Sequence, residues 1–301
     1  MHIGEKIKEL RSSKCITQAQ LAGNFITRNM LSRIENGAAM PSVPTICYIA
    51  ERLKVSPGYL LAQDKEEQIY KKIYNMENIK RAFSDGDFRI CRDICRSVGV
   101  DDDDELNLIL SRCNAGIAKE DFFVGKLRSS VRYFEEALDY DAKTVYSRGV
   151  TRAEVAIYLR YMKRLSLTLA FDIDIEESDF YEGLASNDAM CEYVLALEYL
   201  EKGTSATVED IISMFNMKPE SPLAVHIRVR NEMQNKNYGN AKKLLNDILN
   251  LQERIADPVL YSIFSDLEIC SREMGDFKDA YEYSADKVNL LERMLSEVEG
   301  I

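Results

Sequence analysis

The stretch Leu10–Leu61, LRSSKCITQAQLAGNFITRNMLSRIENGAAMPSVPTICYIAERLKVSPGYLL, alternates helix-capping residues, short apolar-periodic runs and chain-stopping residues. Just before it, Ile3, Ile7 and Leu10 stand at spacings of four and three, the apolar stripe of an amphipathic helix over Ile3–Arg11. Thr17 followed by Gln20 is a capping box, so a second helix is expected over Gln18–Asn24, with Leu21 and Ala22 inward. A turn at Phe25–Ile26 leads to Thr27, the next N-cap, and to a third helix over Arg28–Asn36 with Leu31 and Ile34 facing the core. Gly37 supplies a left-handed stop. Pro41 and Pro44 shape the connection to a fourth helix, Thr45–Leu53, and Ser56-Pro57 opens a fifth with Tyr59, Leu60 and Leu61.

Two short helices joined by a tight turn, inside a bundle of five, are what reading a DNA major groove requires. The third helix is held by Leu31 and Ile34, and its outer face carries Arg28, Asn29, Ser32 and Arg33. Arginine and asparagine make bidentate contacts to guanine and adenine edges. Gln18, opening the second helix, is placed to donate to phosphate.

The pieces ITQAQLA, LSRIENG, PS and AERLKVS resemble, in order and spacing, the Cro/CI-type (XRE-type) helix-turn-helix family, whose fold is the lambda-repressor-like five-helix domain. The resemblance implies a DNA-contacting set of Gln18, Thr27, Arg28, Asn29, Ser32 and Arg33, and a structural ion pair between Arg11 and Glu35. Between Ala22 and Leu31 the chain is one residue shorter than the common pattern, and the usual turn glycine is missing.

Charge divides the chain the same way. Residues 1–64 hold eight Lys/Arg and five Asp/Glu, a balance of +3, which leaves -14 of the net -11 to the rest. A mildly basic head suits phosphate; an acidic body is repelled by it and has another task. Seven cysteines without a paired framework, no signal peptide and no apolar run of the roughly 18 residues that span a bilayer indicate a cytoplasmic chain without membrane contact.

Beyond a polar connecting helix at 64–78, with Ile69, Ile73 and Met76 on one side, a signature recurs. SDGDFRIC (84–91), FVGKLRSSVRYFEEAL (123–138), KNYGNAKKLL (236–245) and EMGDFKDAYEY (273–283) share a turn, an aromatic or leucine, and a small residue three positions later. The small residues are Cys91, Ser130, Ala241 and Ala280, the outer pairs 39 apart and the interval between them 111. A period in the high thirties with two helices per unit marks a helical solenoid. The units resemble tetratricopeptide repeats, so the expected fold is all-α: a DNA-binding domain at 1–63, and at 79–301 five or six repeats plus a last helix (Leu290, Leu291, Met294, Leu295, Val298) that caps the stack or pairs with a second protomer.

No catalytic constellation or cofactor is expected. His2 and His226 are the only histidines, and there is no phosphate loop or serine elbow. The run Asp101–Glu105 lacks the spacing of a calcium loop and reads as a helix N-terminus. A DNA reader joined to a repeat domain resembles the RRNPP family of peptide-pheromone receptors. That resemblance implies a transcription regulator of the quorum-sensing type: a homodimer on double-stranded DNA, altered by a short linear peptide in the repeat groove. If the first helix of each pair lines that groove, residues four apart share its face, which nominates His226, Arg230 and Gln234, with Tyr158 and Tyr193 from neighbouring repeats. The alternative gives the repeats to dimerisation or a protein partner, with no peptide.

Overall fold

The structure, a computed structural model, describes residues 2–62, 65–99, 103–147, 149–165, 188–203, 205–251 and 253–296. Among them all regular structure is helical: α1 (Ile3–Ser13), α2 (Gln18–Ala22), α3 (Arg28–Glu35), α4 (Val43–Leu53), α5 (Pro57–Leu61), α6 (Lys65–Ser84), α7 (Phe88–Val98), α8 (Asp104–Phe123), α9 (Leu127–Asp141), α10 (Val150–Arg164), α11 (Ala189–Glu201), α12 (Val208–Met214), α13 (Pro222–Gln234), α14 (Tyr238–Asn250), α15 (Asp257–Glu273) and α16 (Phe277–Leu295). The chain forms two compact units: Met1–Ser84 with Asp93–Gly99, and Asp85–Arg92 with Val100–Ile301. None of the described helices is long and apolar enough to cross a membrane. Asp64, Asp101, Asp102 and Val298, all used above, lie outside the described residues.

In the first unit each helix starts where the capping chemistry places it. Thr17, Thr27, Ser42 and Ser56 each accept an amide of the following turn, and Thr17 and Gln20 close a reciprocal box. Satisfying an orphan amide in this way is worth about 1 kcal/mol per cap. The apolar stripes converge on one core of Ile7, Leu21, Leu31, Ile34, Ile49 and Leu53. The first helix runs on to Ser13 and the third stops at Glu35, and three further boundaries differ from expectation. The second helix ends at Ala22, because Gly23 leaves it at φ 54° and ψ -134°, a conformation open to glycine alone. A methyl there would stand 2.3 Å from the Tyr48 hydroxyl. The turn glycine therefore exists, directly after the helix. The fourth helix starts at Val43, since Pro44 fits within a first turn that lacks amide acceptors anyway. The connecting helix runs on to Ser84 and leaves Ile69 and Ile73 exposed.

Lys6 is a charged residue that the pattern of the first helix did not single out. It is 1% exposed, donates to the Ala62 carbonyl at 2.5 Å, pairs with Glu67 at 2.9 Å and lies 5.4 Å from the Tyr59 ring. One ammonium thus fastens α1 to the end of α5 and the start of α6.

In the second unit the recurrent signature maps onto a repeated corner. Its aromatic or leucine is the first residue of α7, α9, α14 and α16. Two residues earlier stands a left-handed residue each time: Gly86, Gly125, Lys236 and Gly275. The small residues Cys91, Ser130, Ala241 and Ala280 are all buried, where a larger side chain would hold the paired helices apart. Ser130 additionally donates to the Ala118 carbonyl of α8 at 2.8 Å. The pairs α8–α9, α13–α14 and α15–α16 pack closely, and α8 also meets α15. At that junction Gly125, with φ 77°, approaches so near that a methyl on it would lie 2.8 Å from both Asp257 and Met294. The repeats curl until the first and last inner helices touch. Asp103 caps α8, consistent with reading the acidic run as a helix start.

Candidate nucleic-acid interface and the mouth of the repeat unit

Helix α3 is anchored from behind by Leu31 and Ile34, both without exposed surface, and by Glu35, which is 4% exposed. Arg11 grips that carboxylate with two donors, Nε at 2.6 Å and Nη2 at 3.1 Å, and its own charge is held above the usual range by the Glu35 hydrogen bond. Gln18 donates to the same carboxylate at 2.8 Å. Thr27 caps the helix through the Met30 amide. On the opposite face Arg28, Asn29 and Arg33 are exposed and make no side-chain hydrogen bond or ion pair with any described residue, while Ser32 is half-buried. The helix is therefore fixed in place while its arginine-and-asparagine side has no partner of its own.

Phe25, in the preceding turn, stacks on Tyr48 at 4.5 Å, and the Arg52 guanidinium lies 5.6 Å from the Tyr48 ring. This ladder, with the glycine corner, holds the shortened turn.

The polar residues nominated for the repeat groove are placed otherwise. Tyr193 and His226 are wholly buried. The Tyr193 hydroxyl and His226 Nδ1 are 2.8 Å apart, and His226 Nε2 lies 3.0 Å from Asp266. Arg230 donates to the other Asp266 oxygen at 2.6 Å and to Glu201 at 3.3 Å, and Arg164 also pairs with Glu201. Burial works against the Arg230 charge, but Asp266 and Glu201 more than offset it. These side chains stitch α10, α11, α13 and α15 together. Gln234 is exposed at the far end of α13. The inner face expected to be an open groove is filled because the repeats close on themselves.

Tyr158 borders an opening. At the end of the unit where α11, α13 and α15 begin lies a cavity of about 760 Å³, within the range of small-ligand sites. Its apolar lining includes Phe122, Phe123, Met190, Met217, Leu223 and Ile255. At one wall Lys119 bridges Asp188 at 2.7 Å and Glu154 at 2.8 Å, and the Tyr158 hydroxyl donates to Asp188 at 3.1 Å. Burial alone would lower Lys119, yet the two carboxylates raise it. Burial would raise Asp188, yet Lys119 and its hydrogen bonds lower it. Glu192, Lys218, Glu253 and Arg254 complete the charged lining. The sequence reading missed all of these charged residues. The available signal was topological: alternate helices of a solenoid begin at one end, so their first turns gather there.

Residues 4–66 match a family model described as a helix-turn-helix domain. Among curated proteins none matches the chain. Among solved structures, Bacillus thuringiensis PlcR in complex with the peptide PapR7 and DNA is similar at 18% identity over 98% of this chain and 96% of that one, with a TM-score of 0.26. The apo form of the competence regulator ComR from Streptococcus vestibularis aligns at 16% identity over 96% and 97%, TM-score 0.25. ComR from S. thermophilus in complex with DNA and its signalling peptide ComS aligns at 14% identity over 96% and 99%, TM-score 0.22. Superposition at this level establishes no shared placement of the helices of whole chains.

Proposed function

We propose that this chain is a sequence-specific DNA-binding transcription regulator whose repeat domain takes a short peptide and thereby changes DNA affinity. The observation that carries the first half is the unengaged face of α3. Arg28 and Asn29 reach base edges, Ser32 and Arg33 flank them, and Thr27 and Gln18 lie against phosphates as the helix enters the major groove. One such domain makes few base contacts, so the functional form is a homodimer reading half-sites about 34 Å apart. Residues 1–63 read the DNA, the helix that follows connects, and the repeats from 79 onward sense the peptide at the cavity bordered by Tyr158.

Selection from a pool of randomised duplexes tests the DNA half: one enriched motif with two half-sites is expected, and recovery of no motif overturns it. Titration of synthetic peptide pools against the selected duplex tests the second half. A change in duplex affinity is expected; identical affinity with every pool rejects peptide control.

A second reading gives the repeats to self-association or a protein partner. It draws on α16, where Phe277, Tyr281 and Val288 lie on one face and are 72%, 77% and 46% exposed. Sedimentation of a Phe277→Ser, Tyr281→Ser variant separates the readings: conversion of dimer to monomer with peptide response intact assigns that face to dimerisation alone.

A further inference from the structure

The cavity at the mouth of the repeat unit carries a charge pattern that none of the unit's own structure uses. Its inner wall is self-contained, since Lys119, Asp188, Glu154 and Tyr158 satisfy one another. Four other ionic side chains of the lining, Glu192, Lys218, Glu253 and Arg254, make no side-chain hydrogen bond or ion pair with any described residue. Glu192, in the first turn of α11, is half-buried, and burial together with Asp188 pushes its carboxyl above the usual range. Lys218 precedes α13, and Glu253 and Arg254 precede α15; all three are exposed. The Arg254 guanidinium lies over the Phe123 ring at 5.4 Å, which sets it beside the apolar lining.

Resting on the peptide reading, we infer that the occupant of this cavity is a short peptide with both ends free: its terminal carboxylate is held by Arg254 and Lys218, its terminal ammonium by Glu192, and its apolar side chains lie on Phe122, Phe123, Met190 and Leu223. The chemistry argues against the other small anions. A phosphate ester brings two negative charges against Glu192 and offers no apolar body. A fatty acid satisfies the cations and the lining but leaves Glu192 facing hydrocarbon, and a half-buried unpaired carboxylate is costly. A zwitterion brings a partner for each sign of charge on the lining, and a planar guanidinium is suited to a bidentate carboxylate.

The test uses the full chain and equimolar pools of short apolar-rich synthetic peptides in three forms: free ends, amidated carboxyl end, and acetylated amino end. Bound peptide is counted by mass spectrometry after gel filtration. The wild-type chain is expected to retain the free-ended pool about tenfold or more over each blocked pool, the size of one charge-assisted hydrogen bond. Arg254→Gln is expected to erase the preference for the free carboxylate and keep that for the free ammonium, and Glu192→Gln the reverse. Both residues lie at the lining of an open cavity, and unchanged melting curves verify folding. Equal retention of blocked and free pools, or unaltered preferences in both variants, overturns this inference and leaves peptide binding standing. Retention of no peptide in any form overturns the peptide reading along with it.

Discussion

Two helices, α3 in the first unit and α13 in the second, each carry arginine and other polar residues on one face, and in sequence the two stripes look alike. In the fold they differ completely. Among the described residues Arg28, Asn29 and Arg33 meet no hydrogen-bonding or ionic partner, whereas Arg230 and His226 are bound to Asp266, and Tyr193 completes the chain of contacts. A polar stripe marks an interface only when the fold provides nothing to satisfy it. Where neighbouring repeats supply a carboxylate and a phenol, the same residue types become an internal seam.

The sharpest way to break the contrast is to remove each stripe and read both binding and stability. Arg28→Ala with Asn29→Ala is expected to cost about 10²- to 10³-fold in affinity for a selected duplex, since each bidentate base contact is worth roughly 1–3 kcal/mol. Melting should be unchanged, because both side chains are exposed and neither makes a hydrogen bond or ion pair with a described residue. Fluorescence anisotropy beside a thermal melt checks both; loss of stability with unchanged affinity would reverse the assignment.

Asp266→Ala should do the opposite. It leaves a half-buried arginine without its nearest countercharge and a buried imidazole nitrogen without a partner, a loss of about 3 kcal/mol. Urea unfolding checks this, and a change below 1 kcal/mol would show the seam to be dispensable.

A smaller effect probes the repeated corner. Lys236 takes φ 61° where the three comparable corners use Gly86, Gly125 and Gly275. A left-handed non-glycine residue costs about 1–2 kcal/mol, partly recovered by the stiffer unfolded chain, so Lys236→Gly is expected to stabilise by about 1 kcal/mol. A lowered denaturation midpoint would contradict the shared-corner geometry.

The smallest effect concerns the first unit. The Lys6 hydrogen bond holds the Glu67 carboxyl below its ordinary 4.5, assisted by Lys71. A depressed carboxyl means the folded state binds fewer protons, so the contribution is complete above pH 4.5 and disappears as pH falls through the lower folded value. Urea midpoints measured from pH 6 down to pH 3 should fall less steeply for Glu67→Gln than for wild type; parallel profiles would remove this pair from the account.

Much of the first unit was readable in the chain itself. Thr17, Thr27 and Ser56 mark helix starts because a hydroxyl satisfying an amide three residues on is a local event, whereas the start capped by Ser42 was placed two residues late. The pairing of Arg11 with Glu35, suggested by family resemblance, is present in the fold. The recurrent corner was equally visible, since a left-handed residue, an aromatic and a small residue act within six positions. The cavity was not visible. Its lining comes from five helices and their connections, which lie far apart in the sequence.

What the sequence alone determined is therefore everything settled within a turn or two of helix: starts, stops, apolar stripes and the small residues that let paired helices approach. The tertiary structure alone decided which polar groups remain for a ligand. Small angles between successive repeats accumulate until α8 meets α15, and that closure converts an expected groove into a core seam and shifts the opening to the helix starts. Local chemistry does not encode such a sum; it emerges only when every interface has been packed.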